Sequence, residues 1–424
     1  MDMSRDKWSQ FGRQMGGETG IMRLMNDLGR AMAGQDRMLM LGGGNPAQIP
    51  AVQAVWRRRM GEILADGDAY DRLLANYDTP KGEPRFIEAF TAFLNRQFGL
   101  GVRPENVAIT NGGQFAFFCL LNLLAGRSAG DAPRRILFPM MPEYIGYAGQ
   151  SLTPDTYRGA PPRIEFRDAH RFKYRIDFDR LEVGNDIAAI CLSRPTNPTG
   201  NVVTDDELAR LHTLAQAHGI PLLIDNAYGL PFPGIVFADA RLTWPAGSVL
   251  VFSLSKLGLP GTRTGIVVAP EPIIEALVAM NSVISLANGN VGQALVRPLL
   301  EDDDILRLSR TAIRPFYEAK AQQALAWVGE FFNDGLDYHV HCCEGALFLW
   351  LWFRGLPISD VELYERLKRR GVLVVPGSYF FFGTGDAGPQ QHECIRVNYT
   401  QSEATVREGL VIIAEEVERA YRGT

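Results

Sequence analysis

The chain has 424 residues, is 46% hydrophobic and 21% charged, and carries a formal net charge of −5. That composition is ordinary for a globular protein long enough to hold two or more subdomains, and it disfavours broad binding to nucleic acid or an anionic membrane. Five cysteines without a CxxC pair suggest a reducing compartment, and the charged start MDMSRDKWSQ does not read as a signal peptide. The longest apolar run, GALFLWLWF at 345–353, is far short of the roughly 20 residues of a membrane helix, so a cytoplasmic protein is expected.

In chain order, Ile21, Leu24, Met25, Leu28 and Met32 form an apolar stripe at helical spacing, expected to be a packing helix. GGGNP follows at 42–46, without the G-x-G-x-x-G spacing of a dinucleotide loop. Short apolar runs at 107–109, 135–138, 187–192, 221–224 and 249–254 predict buried strands. Between the third and fourth, Thr204 and Glu207 form a capping box ahead of the stripe Leu208, Leu211, Leu214 and Ala215, which predicts a helix closed by Gly219 and Pro221. Strands alternating with helices imply a mostly parallel α/β sheet, with ligands beyond the carboxyl ends of the strands. From about residue 300, a long helical stretch and the runs GALFLWLWF, GVLVVPG and CIRVNY predict a smaller α+β layer. The expected division is 1–65 as an N-terminal segment contributing to the small domain, 66–300 as the large domain and 301–424 as the small C-terminal domain.

The strand tips hold the chemistry: TNGGQ after the first strand, PMMPEY after the second, SRPTNPTG after the third, DNAYG after the fourth and SK after the last. Two glycines at a strand-to-helix junction suit a phosphate, although a plain turn would look the same. Asp225, directly after a strand, is a helix cap or the partner of a positive group. Of the six lysines, Lys7, Lys81, Lys173, Lys320 and Lys368 lie in contexts that suit a solvated charge; only Lys256 follows a run that reads as fully buried. Burial there would lower its pKa and make the amine nucleophilic. A lysine of that kind, opposite an aspartate and beside a phosphate seat, is what a Schiff-base cofactor requires.

Six motifs in order, GGGNP, NYDTPKG, TNGGQ, PEY, RPTNPTG with DNAYG, and SLSKLGLPGTR with RVNY, resemble the fold-type I pyridoxal-phosphate aminotransferases of class I/II over about residues 41–399. The resemblance implies a large, mostly parallel sheet domain, a smaller α+β domain, bound pyridoxal 5′-phosphate and a homodimer acting on an amino acid and a 2-oxo acid. It implies that Lys256 carries the cofactor and shuttles the substrate proton, that Asp225 holds the ring nitrogen protonated, and that Asn197 and Tyr228 bond the ring's phenolic oxygen. Tyr144 would stack on the ring; Gly112, Gly113, Gln114, Ser253 and Arg263 would hold the phosphate, joined by Tyr77 of a neighbouring subunit. Arg396, with Asn197 and the backbone of Gly44, would bind the substrate carboxylate. Gly113 stands where relatives usually carry a hydroxyl.

LGGGNPAQIP, PEYIGYA and IDNAYGLPFPGI resemble more narrowly the subfamily that exchanges the amino group between L-valine and pyruvate, giving 3-methyl-2-oxobutanoate and L-alanine. Dicarboxylate-specific relatives use a second arginine near the end of the large domain. Here no Arg or Lys lies between Arg263 and Arg297, which suits an aliphatic side chain. Transfer of another aliphatic or aromatic amino acid's amino group, or carbon–sulfur β-elimination on the same fold, stays open. HVHCCE at 339–344 is the best metal alternative, without a second ligand cluster of convincing spacing, and no metal is expected. A DNA-binding regulator would need a helix-turn-helix module ahead of GGGNP, where only about 40 residues stand.

Overall fold

A computed structural model describes residues 7–17, 22, 26–27, 29, 38–127, 133–332 and 335–424; the stripe Ile21, Leu24, Met25, Leu28 and Met32 lies outside them. The main sheet has seven strands in the order β2-β10-β9-β8-β7-β3-β4. These are β2 (Val107–Thr110), β3 (Arg135–Phe138), β4 (Tyr157–Gly159), β7 (Ile187–Ser193), β8 (Leu222–Asp225), β9 (Ser248–Ser253) and β10 (Gly265–Val268). The β4-β3-β7-β8-β9 block is parallel, and β10 runs antiparallel to both of its neighbours. Every residue of β2, β7, β9 and β10 is buried, as expected for strands covered on both faces.

The capping box forms as expected: the Thr204 hydroxyl accepts from the Glu207 N–H, and the Glu207 carboxylate accepts from the Thr204 N–H at 3.0 Å. Such a cap stabilises the helix Asp205–Ala217 by about 1 kcal/mol. Glu207 also accepts from the Ile176 N–H and from Arg175, so the same carboxylate ties the helix to the second sheet.

That second sheet orders six strands as β14-β15-β12-β11-β6-β5. Four come from the C-terminal part: β11 (Tyr338–His341), β12 (Phe348–Phe353), β14 (Val375–Pro376) and β15 (Cys394–Asn398). The other two, β5 (Arg163–Phe166) and β6 (Arg171–Arg175), leave the segment assigned above to the large domain and pair onto β11 through β6. At the chain's other end, β1 (Leu39–Met40) runs parallel to β13 (Val372–Leu373), and the backbone N–H of Asn398 donates to Leu41 O at 2.7 Å. The GGGNP loop is thereby strapped to the C-terminal sheet, where a Cβ on Gly42 would meet Val374 O at 2.8 Å.

Candidate active site

Strands β7, β8 and β9 end side by side, and their tips open on one cavity of about 1090 Å³, mouth included. It is lined by Lys256, Asp225, Tyr144, Tyr228, Asn197 and Arg396, with Gly44, Gly113, Gln114, Ser253 and Arg263 at its edges. Except for Tyr77, every site residue expected from sequence lines this cavity or, as with Gly112, directly precedes a residue that does. Tyr77 points outward and is 83% exposed.

Lys256 sits in a 3₁₀ turn, Ser255–Leu257, just past the buried β9. Its amine donates to Gly44 O and lies 5.4 Å from the centre of the Tyr228 ring. Burial pulls its pKa down to about 8; Arg396 and Arg263 push the same way and Asp225 opposes them. A larger share of the neutral, nucleophilic amine at physiological pH follows.

Asp225, the last residue of β8, is held from both sides. Tyr147 donates to one carboxylate oxygen at 2.6 Å and the Ala227 N–H to the other at 2.9 Å. Burial raises its pKa, and the two hydrogen bonds work against that rise. A desolvated carboxylate fixed in this way favours a positive partner in the cavity. The sequence reading missed Tyr147. The signal was present, because Tyr147 follows Tyr144 by one helical turn, and the two rings meet edge-on with centroids 5.2 Å apart.

Arg396, on β15, is buried; one Nη donates to Asn197 Oδ1 and the other to Gly42 O, each at 2.7 Å. Its guanidinium lies 4.0 Å from the Phe348 ring centre and 5.1 Å from that of Phe380. Its Nε is buried and makes no hydrogen bond. Burial lowers its pKa to about 10, so it stays charged at neutral pH and lacks a carboxylate partner among the described residues. An incoming carboxylate would meet that need.

At the other end, the helix Gly113–Leu124 points its N-terminus at the cavity. Gly112 precedes it at φ 92°, and a Cβ there would meet Arg263 Nη2 at 2.4 Å, so backbone N–H groups and a guanidinium converge on one spot. The Gln114 side chain donates to Gly146 O at 3.2 Å, so it is the backbone N–H of Gln114, at the helix N-terminus, that is left for a phosphate. Phosphate seat, desolvated carboxylate, depressed lysine and unpaired arginine together fit pyridoxal phosphate and an amino acid.

HVHCCE has a structural role. His339 bonds Asp337 at 2.9 Å and packs against Trp352, while His341 accepts the Tyr174 N–H at 3.0 Å. Among the described residues no group of three or more His, Cys, Asp or Glu could hold a metal ion. Lys173 also departs from its expected solvated context: it is 2% exposed and ion-paired with Glu344.

Comparison with known proteins gives the same answer as this geometry. The model of the family "Aminotransferase class I and II" matches residues 51–413. A valine–pyruvate aminotransferase of Escherichia coli (strain K12) is 47% identical over 98% of this chain and 99% of its own. The crystal structure of a valine–pyruvate aminotransferase from Salmonella typhimurium LT2 superposes with a TM-score of 0.88 at 47% identity, covering 95% of this chain and all (100%) of that one. A Psychrobacter arcticum 273-4 structure reaches 0.95 at 43% identity, over 99% and 100% of the two chains. Site and comparisons together make the chain a member of the class I and II aminotransferases, enzymes that depend on pyridoxal 5′-phosphate.

Proposed function

We propose that this aminotransferase moves the amino group reversibly between L-valine and pyruvate, giving 3-methyl-2-oxobutanoate and L-alanine in two half-reactions. The observation that carries the reading is Arg396: a buried, carboxylate-free guanidinium in the same cavity as Lys256, in a chain 47% identical over nearly its full length to a valine–pyruvate aminotransferase. Its fork would take the substrate α-carboxylate, with Asn197 and the Gly44 backbone beside it. Lys256 lines the same cavity, and its neutral amine would take the α-hydrogen as a proton and deliver it to the cofactor carbon that carries the transferred nitrogen.

Pyridoxal phosphate supplies an electron sink for the pair released at Cα. Gly112, Gly113, the Gln114 N–H, Ser253 and Arg263 would hold its phosphate; Tyr144 would stack on its ring. Asp225 would keep a proton on the ring nitrogen, and Asn197 and Tyr228 would bond the phenolic oxygen. The stretch between Arg263 and Arg297 is free of cations, which supports an aliphatic rather than a dicarboxylic substrate. Val283, Ile284, Leu286, Leu64, Leu74 and Tyr77 are exposed apolar side chains, in keeping with a homodimer in which Tyr77 would reach the partner's phosphate. No helix among the described residues is long and apolar enough to cross a membrane, and a cytoplasmic location is proposed.

The test is the visible spectrum of the holoenzyme before and after L-valine, without a 2-oxo acid. Conversion of the cofactor band to that of the amino form, with release of 3-methyl-2-oxobutanoate, is expected. A band that valine leaves unchanged overturns the substrate.

A further inference from the structure

Glu143 stands immediately before the stacking tyrosine and is 1% exposed. Its two carboxylate oxygens take three donors from two places in the chain. The Ser193 N–H donates to Oε1 at 2.8 Å; the Ser193 hydroxyl donates to Oε2 at 2.6 Å, and the Tyr144 N–H reaches Oε2 at 3.1 Å. Glu143's own N–H donates to Phe380 O at 3.0 Å, and the Phe380 ring flanks Arg396. Ser193 closes β7 and pairs in register with Asp225 on β8. One buried carboxyl therefore joins the segment that carries Tyr144, the strand tip beside Asp225 and the segment that flanks Arg396.

A buried acid is costly, and nothing in the exchange of an amino group calls on this one. Its titratable neighbours are Asp225, Tyr147 and Cys191, none of them positive, so charge pairing does not account for it. Burial pushes its carboxyl up to about 8 while the Ser193 and Tyr144 donors pull it down. When protonated, it donates its O–H from Oε2 to the Ser193 hydroxyl, and both oxygens still accept the two backbone N–H groups. What the carboxyl has that an apolar side chain or an amide lacks is two acceptor oxygens, matching two backbone N–H groups that would otherwise be buried without partners.

We propose that Glu143 is a positioning residue for the cofactor: it fixes the Tyr144 backbone and the β7 tip as one unit, and so sets the tilt of the stacking ring against Asp225. The inference rests on the roles given above to Tyr144 and Asp225. Glu143→Gln keeps the size but offers one acceptor for two N–H donors, so one of the two backbone bonds must be lost whichever way the amide turns.

The experiment compares wild type, E143Q and E344Q as holoenzymes, reading circular dichroism in the visible cofactor band, the dissociation constant for pyridoxal phosphate and the urea midpoint. E344Q serves as a variant weakened at a residue that does not line the cavity. E143Q is expected to lose at least about half of the visible dichroism and to bind the cofactor about tenfold more weakly, the loss of one buried hydrogen bond. E344Q should lower the urea midpoint with dichroism unchanged. E143Q with wild-type dichroism and cofactor affinity overturns the proposal. If E143Q does not fold, Glu143→Asp, which keeps both acceptor oxygens but draws them back by one methylene from the two backbone N–H groups, should reduce the dichroism in the same direction, and an unchanged signal overturns the proposal. A wild type without any induced cofactor signal overturns the Tyr144 and Asp225 roles themselves, a failure distinct from that of Glu143.

Discussion

Lys173 and Lys256 both leave water in this fold, and their surroundings send them to different ends. Lys173, within β6, is 2% exposed; it donates to Val202 O at 3.0 Å and pairs with Glu344, whose carboxylate also accepts the Val202 N–H at 3.0 Å. Lys256, beyond β9, faces a cavity, donates to a carbonyl and has two arginines acting on it against one aspartate. Burial lowers both pKa values. At Lys173 the Glu344 carboxylate opposes that fall from contact distance, making an ion pair that ties the second sheet to Val202. At Lys256 the carboxylate is not in contact, and the amine is left available. Desolvation is common to both; what sets Lys256 apart is that its amine faces the cavity without a contacting counter-charge.

The contrast is broken most directly by deletion. Lys256→Ala should lower turnover by at least about 10⁴-fold while leaving the far-ultraviolet dichroism and urea midpoint near wild type, because it removes the group that moves the proton. Multiple turnover without an added amine in that variant would refute the role.

At the other lysine the effect falls on stability. Glu344→Gln leaves Lys173 buried without its counter-ion and should cost about 3 kcal/mol, read by urea unfolding, with kcat within about twofold of wild type. Adding Lys173→Met should recover part of that loss, since it removes the stranded charge. A double variant whose loss is the sum of the two singles would show that the pair does not act as one unit.

A pH measurement sharpens the comparison. Only the neutral amine attacks an aldehyde, and the Lys256 pKa is lowered to about 8. Reloading of apoenzyme with pyridoxal phosphate should therefore accelerate as pH rises, with a midpoint near 8 instead of the 10.5 of an ordinary lysine. A rate still climbing steeply between pH 9 and about 10 would mean that the amine keeps a near-normal pKa.

The smallest expected effect lies at the phosphate end. A Cβ on Gly113 would have only ordinary contacts, 3.9 Å from Ser253 Cβ and from Val251 Cγ1, so the missing hydroxyl is not excluded by space. Gly113→Ser should tighten cofactor binding several-fold, about 1 kcal/mol for one added hydrogen bond, measured as slower loss of cofactor on dialysis. Unchanged or faster loss would mean that the backbone N–H groups and Arg263 already satisfy the phosphate.

What the sequence determined by itself is local. Runs of buried β-branched and aliphatic residues marked β2, β3, β7, β8 and β9 to within a residue or two, and the Thr204–Glu207 box marked its helix, because period and capping are written within a few positions. Lys256, Asp225 and the glycines at 112–113 were legible for the same reason, as polar residues at strand tips. The ordered motifs then brought in Arg396, which by itself reads as one charge on a strand. Tertiary structure alone decided the pairings: Tyr147 with Asp225 across 78 positions, Glu143 with Ser193 across 50, Lys173 with Glu344 across 171 and Arg396 with Gly42 across 354. It also decided that β5 and β6 join the C-terminal sheet. A hydrogen-bond partner that far along the chain leaves no periodic trace, and whether a buried charge is structural or reactive depends on that partner.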